Sequence, residues 1–181
     1  MLVEFIKMHD FHMKMVLKWR TKPEVTQFMA TDIDDDLEKQ KRWFNLESQK
    51  NSSKWWIINF KNKPIGVIAL VDINLHHKFA TWDYYIGEEK YRGRLGAFIP
   101  LYFYNYVFDN LKLNKIIATV MDGNINLLKL HELHGYRKIG VYQKHIFKQN
   151  KFHDLFILEL LKEKWEKEQI KFHKIKADFE D

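Results

Sequence analysis

Arg92, Gly93, Arg94, Leu95, Gly96 and Ala97 stand between two patterns that need a connection. Before them, Thr81, Asp83 and Tyr85 alternate with Trp82, Tyr84 and Ile86, the period of a strand. After them comes an aromatic, amphipathic segment of helical period. A strand, a Gly- and Arg-bearing loop and a helix N-terminus together make an anion site. The first N–H groups of the helix lack intrahelical partners, the dipole adds positive potential, and small residues let a phosphate approach the main chain. Arg92 and Arg94 add charge. Pro100 would cost about 3 kcal/mol inside a helix but little in its first turn, so the pattern predicts a helix start near residues 95–98. An ordinary strand-to-helix turn with surface arginines shares this pattern, because Gly-x-x-Gly is not a specific signal.

Other reactive groups gather in two places. His131-Glu132-Leu133-His134 carries two imidazoles at i, i+3 without a third ligand, so it is not read as a metal centre. Asp32, Asp34, Asp35 and Asp36 precede a helical run at 37–49, where acids favour the positive helix end. A bound cation is the alternative there, but the spacing lacks the Gly and the distal Glu of a calcium loop. There is no cysteine, which excludes a thiolate nucleophile, disulfides and a Cys-ligated zinc, and fits a cytoplasmic protein.

The elements that must position these groups follow in order. Strands are expected at 2–6, 55–60, 65–73 and 79–86, the last three as an antiparallel meander, and at Lys115–Met121. Residues 136–147 and 152–161 read as a hairpin. Helices are expected at 11–19, 24–28, 37–49, 98–110 and 127–134, the last closed by Gly135. The charged tail 162–181 reads as one amphipathic helix carrying Trp165, Phe172 and Phe179. The result is an α/β fold with a mixed sheet, and such sheets bind ligands at strand ends.

The 181 residues are 46% hydrophobic and 15% aromatic, which excludes disorder and suits a single domain, 1–181, with 162–181 as a C-terminal extension. Apolar runs such as 65–71 are too short to span a bilayer, and the N-terminus has no apolar signal core. The net charge of +6 suits an anionic ligand such as a nucleotide or coenzyme A. It would also suit nucleic acid, but no known nucleic-acid motif is present.

Two motifs now lie in order. The loop at 92–97 is followed by Asn124-Ile125-Asn126-Leu127-Leu128-Lys129-Leu130-His131-Glu132-Leu133-His134-Gly135-Tyr136. Together they resemble the GNAT superfamily of N-acetyltransferases across nearly the whole chain. The usual loop is Gln/Arg-x-x-Gly-x-Gly/Ala, and the later motif Asn-x-x-Ala-x-x-Leu-Tyr-x-x-x-Gly-Phe. Asn124, Leu130, Gly135 and Tyr136 match the second without a gap; in the loop, Leu95 stands where Gly is usual. The resemblance implies a mostly antiparallel mixed sheet, splayed at an acetyl-CoA site and flanked by helices. It implies pantetheine along Tyr84, Tyr85 and Ile86, and pyrophosphate on the amides of Arg92, Gly93, Arg94, Leu95, Gly96 and Ala97. Asn124, Leu127 and Leu130 would complete the cofactor side. His131 stands where many members place the Tyr that protonates the leaving thiolate, and would either donate a proton or only pack.

The N-terminal third narrows the resemblance. Lys18-Trp19-Arg20-Thr21-Lys22-Pro23-Glu24-Val25, then Phe28, Met29 and Thr31, then Arg42-Trp43-Phe44, resemble the nucleotide-sugar branch. Within it the chain is most similar to the UDP-4-amino-sugar N-acetyltransferases of pseudaminic acid synthesis, many of which have Gly where Asp83 stands. The resemblance implies a UDP-amino sugar as acceptor, held by Arg20, Met29, Thr31 and Trp82. It implies no metal, no nucleic-acid partner and no membrane insertion, and leaves a homodimer open. Direct attack by the amine needs a base, and Asp72, His76, His77 and Asp83 lie on or beside the central strands, acting directly or through water. A peptide or polyamine acetyltransferase of the same fold is the nearest rival, with the Asp32 to Asp36 cluster in its favour. A non-catalytic acyl-CoA-binding protein is the other.

Overall fold

Strand-forming runs rich in Ile, Val and aromatics build the centre of the molecule. In the computed structural model, which describes residues 3–172 and 177–180, they are β1 (Val3–Lys7), β2 (Lys54–Phe60), β3 (Lys63–Asn74), β4 (Phe79–Ile86), β5 (Lys115–Met121), β6 (Arg137–Lys148) and β7 (Lys151–Leu161). They form one sheet in the order β1-β2-β3-β4-β5-β7-β6. Every neighbouring pair is antiparallel except β4 and β5. Those two are parallel and paired only from Phe79, Ala80 and Thr81 to Lys115, Ile116 and Ile117. Beyond Thr81 they diverge, so residues 82–86 of β4 keep β3 on one side and face an open V on the other.

Alternation along the strands sends side chains to two helical layers. Trp56, Ile58, Ile68, Leu70 and Trp82 face the layer formed by α4 (Arg94–Asn105), with Ile99, Phe103 and Tyr104 fully buried against them. Ile57 and Val67 face the other layer, formed by α1 (Met13–Arg20) and α3 (Leu37–Ser48), through Met13, Val16, Trp19 and Phe44. The short α2 (Pro23–Thr26) follows α1, with Pro23 at its first helical position. The helix α5 (Ile125–Leu133) follows β5.

Two glycines are required by close approach. A Cβ on Gly66 would lie 2.2 Å from the Tyr85 carbonyl oxygen, and one on Gly87 would lie 2.2 Å from the Trp19 ring. The second approach seats the end of β4 on the buried face of α1, where Trp19 Nε1 also donates to Glu88 at 2.8 Å.

The structure corrects two expectations. Pro100 is not in the first turn of its helix: α4 begins at Arg94 and Pro100 is interior. Proline removes the bond that would satisfy the carbonyl of residue i−4, here Gly96. The Tyr84 hydroxyl supplies that bond, donating to the Gly96 oxygen at 3.2 Å, and this ties the splayed strand to the helix start. The tail is not one helix either. Residues 162–168 form α6 (Lys162–Glu168), followed by a single 3-10 turn. Residues 173–176 and 181 of the expected helix lie outside the described residues. Phe179 runs beside β1, stacked between Phe5 and Tyr106 at 4.0 Å from each. Phe5 N–H donates to the Asp178 carbonyl, and Glu180 N–H to the Phe5 carbonyl. An open strand edge offers hydrogen bonds that a helix face cannot. Among the described residues no helix is long and apolar enough to cross a membrane.

Candidate active site

The V between β4 and β5 opens into a cleft of about 650 Å³. One wall is the exposed edge of β4, with Trp82, Tyr84, Tyr85 and Ile86. The mouth is the start of α4, where Arg92, Gly93, Gly96 and Ala97 face the cleft. The opposite wall is the start of α5, with Asn124, Leu127 and Leu130. Asn124 caps that helix by accepting from Leu127 N–H at 3.4 Å. Ten residues expected on the cofactor side therefore meet around one cavity.

The loop fits a diphosphate. Gly93 precedes the first helical residue, and a Cβ added there would meet nothing within 4 Å, so the main chain borders open space. The N–H groups of residues 94–96 are the ones a helix leaves for an outside acceptor. Leu95 packs on the core and does not line the cleft, so the absent glycine leaves the cradle clear. Arg92 has a different task from the one its charge suggests. Its Nε donates to the Ile86 carbonyl at 2.9 Å and its Nη2 to the Gly87 carbonyl at 3.2 Å, which holds the loop against the end of β4. The Arg94 side chain lies outside the described part of the structure.

A second, smaller cavity of about 290 Å³ lies on the α1 and α3 side and shares Asp83, Tyr84 and Tyr85 with the cleft. Arg20, the last residue of α1, lines it. Its Nη2 donates to the Thr31 carbonyl at 3.2 Å and lies 3.1 Å from Thr31 Oγ1, and its guanidinium lies 6.0 Å from the Tyr85 ring centre. Trp43 and Trp55, edge to face at 5.1 Å, form its aromatic wall. Arg20, Thr31 and Asp83 thus come together, whereas Met29 and Trp82 line the larger cleft. Asp83 is open to solvent, and the space it opens to is that of the two cavities. The surrounding protein pushes its carboxyl pKa up, against the pull of Arg20 and of the Tyr84 backbone.

Two candidates sit elsewhere. His76 is on the exposed turn before β4, at the closed end of the V, and lines neither cavity. Four residue steps of strand lead from Phe79 to Asp83, roughly 13 Å at 3.3 Å per residue. His131 is only 2% exposed and points into the core, 4.6 Å from the Tyr136 ring and 5.7 Å from Trp82. Burial, aided by the neighbouring His134, lowers its pKa to about 3, so the imidazole is neutral.

The acid cluster is already engaged. Asp36 caps α3 by accepting from Lys39 N–H at 2.9 Å, Asp34 pairs with the Lys39 ammonium, and Asp32 pairs with Lys148 at 2.7 Å. Lys148, Trp55 and Gln40 belong to these surroundings, and local pattern did not single them out. Among the described residues no group of three or more His, Asp or Glu is arranged to hold a metal.

A strand pair that opens into a V, with a helix start at its mouth, is the fold and site of an N-acetyltransferase. The chain matches the acetyltransferase (GNAT) domain family over residues 3–137 and belongs to it. It is 29% identical over 131 residues to acetyltransferase PseH of Campylobacter jejuni strain 81-176, which covers 72% of this chain and 80% of that protein. It is 26% identical over 128 residues to the N-acetyltransferase YokL of Bacillus subtilis, covering 70% and 71%. Among solved structures, the spermidine N-acetyltransferase of Vibrio cholerae in complex with CoA and spermine superposes with a TM-score of 0.83. That match covers 91% of this chain and 98% of the other at 16% identity, a likeness of fold.

Replacing Gly96 by Asp would place a carboxylate at the loop expected to cradle a diphosphate, with space for its Cβ 3.6 Å from Ile86. Acetyl-CoA affinity is expected to fall at least tenfold by calorimetry while the fold is kept. Unchanged affinity in the folded variant would remove the loop from cofactor binding.

Proposed function

We propose that this N-acetyltransferase takes acetyl-CoA in the larger cleft and acetylates the 4-amine of a UDP-linked 4-amino-4,6-dideoxy sugar held in the smaller cavity. This would be a cytoplasmic step in the synthesis of a nonulosonic acid or a related surface glycan. The observation that carries the reading is the smaller cavity's charge. Of its four carboxylates, Asp32, Asp34 and Asp36 are each compensated by a lysine or a helix amide, and the fourth, Asp83, feels the charge of the inward-facing Arg20. A planar guanidinium suits a diphosphate, and the Trp43 and Trp55 wall suits a flat base. A polyamine carries several cationic amines and would need more than one carboxylate left free, so that reading is less well supported despite the shared fold. The likeness to acetyltransferase PseH points the same way.

The chemistry follows from placement. Asp83 stands where the two cavities meet and is the base in this reading, directly or through one water. As the amine nitrogen attacks the thioester carbonyl carbon, the amine proton passes to the Asp83 carboxylate. Backbone N–H groups of residues 82–86, unpaired on the β5 side, can meet the developing oxyanion. The C–S bond then breaks and the thiolate leaves, taking its proton from water. A thiolate is stable enough near neutral pH to leave without an acid. A buried, neutral His131 is then a packing residue rather than the donor.

Arg20→Ala is expected to raise the acceptor KM about tenfold or more and to change the acetyl-CoA KM little. UDP alone should compete with the acceptor. Turnover of spermidine, with none on UDP-amino sugars, would replace this acceptor assignment.

A further inference from the structure

The hairpin of β6 and β7 turns tightly through Gln149 and Asn150, both at positive φ (51° and 58°). The residue before that turn, Lys148, is the opposite of a surface lysine: it is 3% exposed. Its ammonium has three protons, and three acceptors receive them. They are the Thr26 carbonyl at 2.7 Å, the Met29 carbonyl at 2.8 Å and the Asp32 carboxylate at 2.7 Å. They belong to the last residue of α2 and the connection from it to α3, more than a hundred residues away in sequence.

That connection is the partition of the site. Phe28, Met29 and Ala30 line the larger cleft, while Thr31 and Asp32 line the smaller cavity. Thr31 in turn receives Arg20, which acts electrostatically on Asp83. A buried ammonium is kept only where its protons are all satisfied, and removing it would leave two carbonyls and a carboxylate without their donor.

We propose that Lys148 is a positioning residue for acetyl transfer: it fixes the 26–32 partition from the hairpin tip and thereby sets the acceptor side of the site. It also pairs with Asp32, so that carboxylate is not left free to attract cationic amines. The inference rests on the acetyltransferase site and not on the identity of the acceptor.

The test compares Lys148→Met, Asp32→Asn and, as a control, Lys151→Met at the exposed side of the same turn. Each is read three ways: amide exchange at 26–32, acetyl-CoA affinity by calorimetry, and kinetics on whichever amine the unmodified enzyme acetylates fastest. Lys148→Met should speed exchange at 26–32 and raise the acceptor KM, each tenfold or more, with less than a threefold change in acetyl-CoA affinity. Asp32→Asn, which keeps the lysine and both carbonyl bonds, should move the same quantities in the same direction by less, and it carries the test if Lys148→Met does not fold. Lys151→Met should change none of them. Unchanged exchange and acceptor KM in the folded lysine variant, or in Asp32→Asn where the former fails to fold, would overturn the proposal. So would a loss of acetyl-CoA affinity as large as the loss on the acceptor. A preference for spermidine over a UDP-amino sugar would overturn the nucleotide-sugar reading alone, since the same ratios are then read on spermidine.

Discussion

Asp83→Asn is expected to lower kcat by about two to four orders of magnitude, the usual range for loss of a general base, with small changes in both KM values. The substitution keeps shape and removes only the ability to take a proton. The surrounding protein raises the carboxyl pKa of Asp83 despite Arg20, so the folded state holds the ionised form at a cost. A carboxyl whose folded pKa is raised lowers stability above its unfolded pKa, so the Asn variant should be at least as stable as the parent at neutral pH. Turnover and stability then move in opposite directions, which separates a catalytic loss from a damaged fold. The acid limb of the pH–rate profile should also sit above the ordinary carboxylate range in the parent and vanish in the variant. Undiminished kcat in Asp83→Asn, with chemistry shown to limit the rate, would move the base to a bound water or to another group.

Stability should fall steeply in mild acid, and two buried histidines are the cause. Burial first, then the neighbouring His134, lowers the His131 pKa from 6.5 to about 3, and burial lowers that of His134 to about 4. Both rings are neutral in the fold, and the Tyr104 hydroxyl lies 3.2 Å from His134 Nδ1. Unfolded, each would bind a proton near pH 6.5. Between that pH and the folded values the unfolded chain therefore holds more protons. The contribution is complete above about pH 6.5 and is lost as pH falls toward 4 and 3. Each ring adds a slope of up to about 1.4 kcal/mol per pH unit, so the pair should remove on the order of 2–3 kcal/mol per unit near pH 5. Denaturant unfolding at pH 7, 6 and 5 reads this directly. His131→Phe keeps a ring between Trp82 and Tyr136, removes a buried nitrogen that has no partner among the described residues, and should lose about half the slope. Its kcat should stay within a few-fold of the parent. A tenfold or greater loss of kcat would return His131 to the chemistry, and equal stability at pH 7 and 5 would contradict the burial of both rings.

Much of the architecture could be read from local pattern. The period-two run before Gly87 made β4, the Gly-bearing turn made the start of α4, and Asn124 capped α5 with Gly135 just beyond its end. These signals are local because a strand's alternation, a cap and a positive-φ glycine act within a few residues. That the expected cofactor residues would line one cleft was legible for the same reason: they sit at the ends of those elements. Arg20 and Thr31 were named from a resemblance and Asp83 from its place on a central strand, and the sheet and α1 bring them to one cavity.

Tertiary structure decided the rest. Pro100 reads as a first-turn residue until a strand places Tyr84 against the Gly96 carbonyl, and then an interior proline is tolerated. Arg92 reads as a phosphate ligand until the end of β4 presents two carbonyls to it. The acid cluster, read as a charge cluster at a helix start with a cation or polyamine as the alternative, caps α3 through Asp36, while Lys39 pairs with Asp34 and Lys148 with Asp32, the second from a hairpin tip far along the chain. His76 reads as a candidate base because it adjoins a central strand, and only the three-pair contact of β4 with β5 shows that it stands at the closed end of the V. Sequence by itself determined most of the elements, the C-terminal tail excepted, and which of their ends could bind an anion. The fold decided which charges meet which partners, because a side chain's role depends on acceptors that long-range packing brings within about 3 Å, and local periodicity carries no record of them.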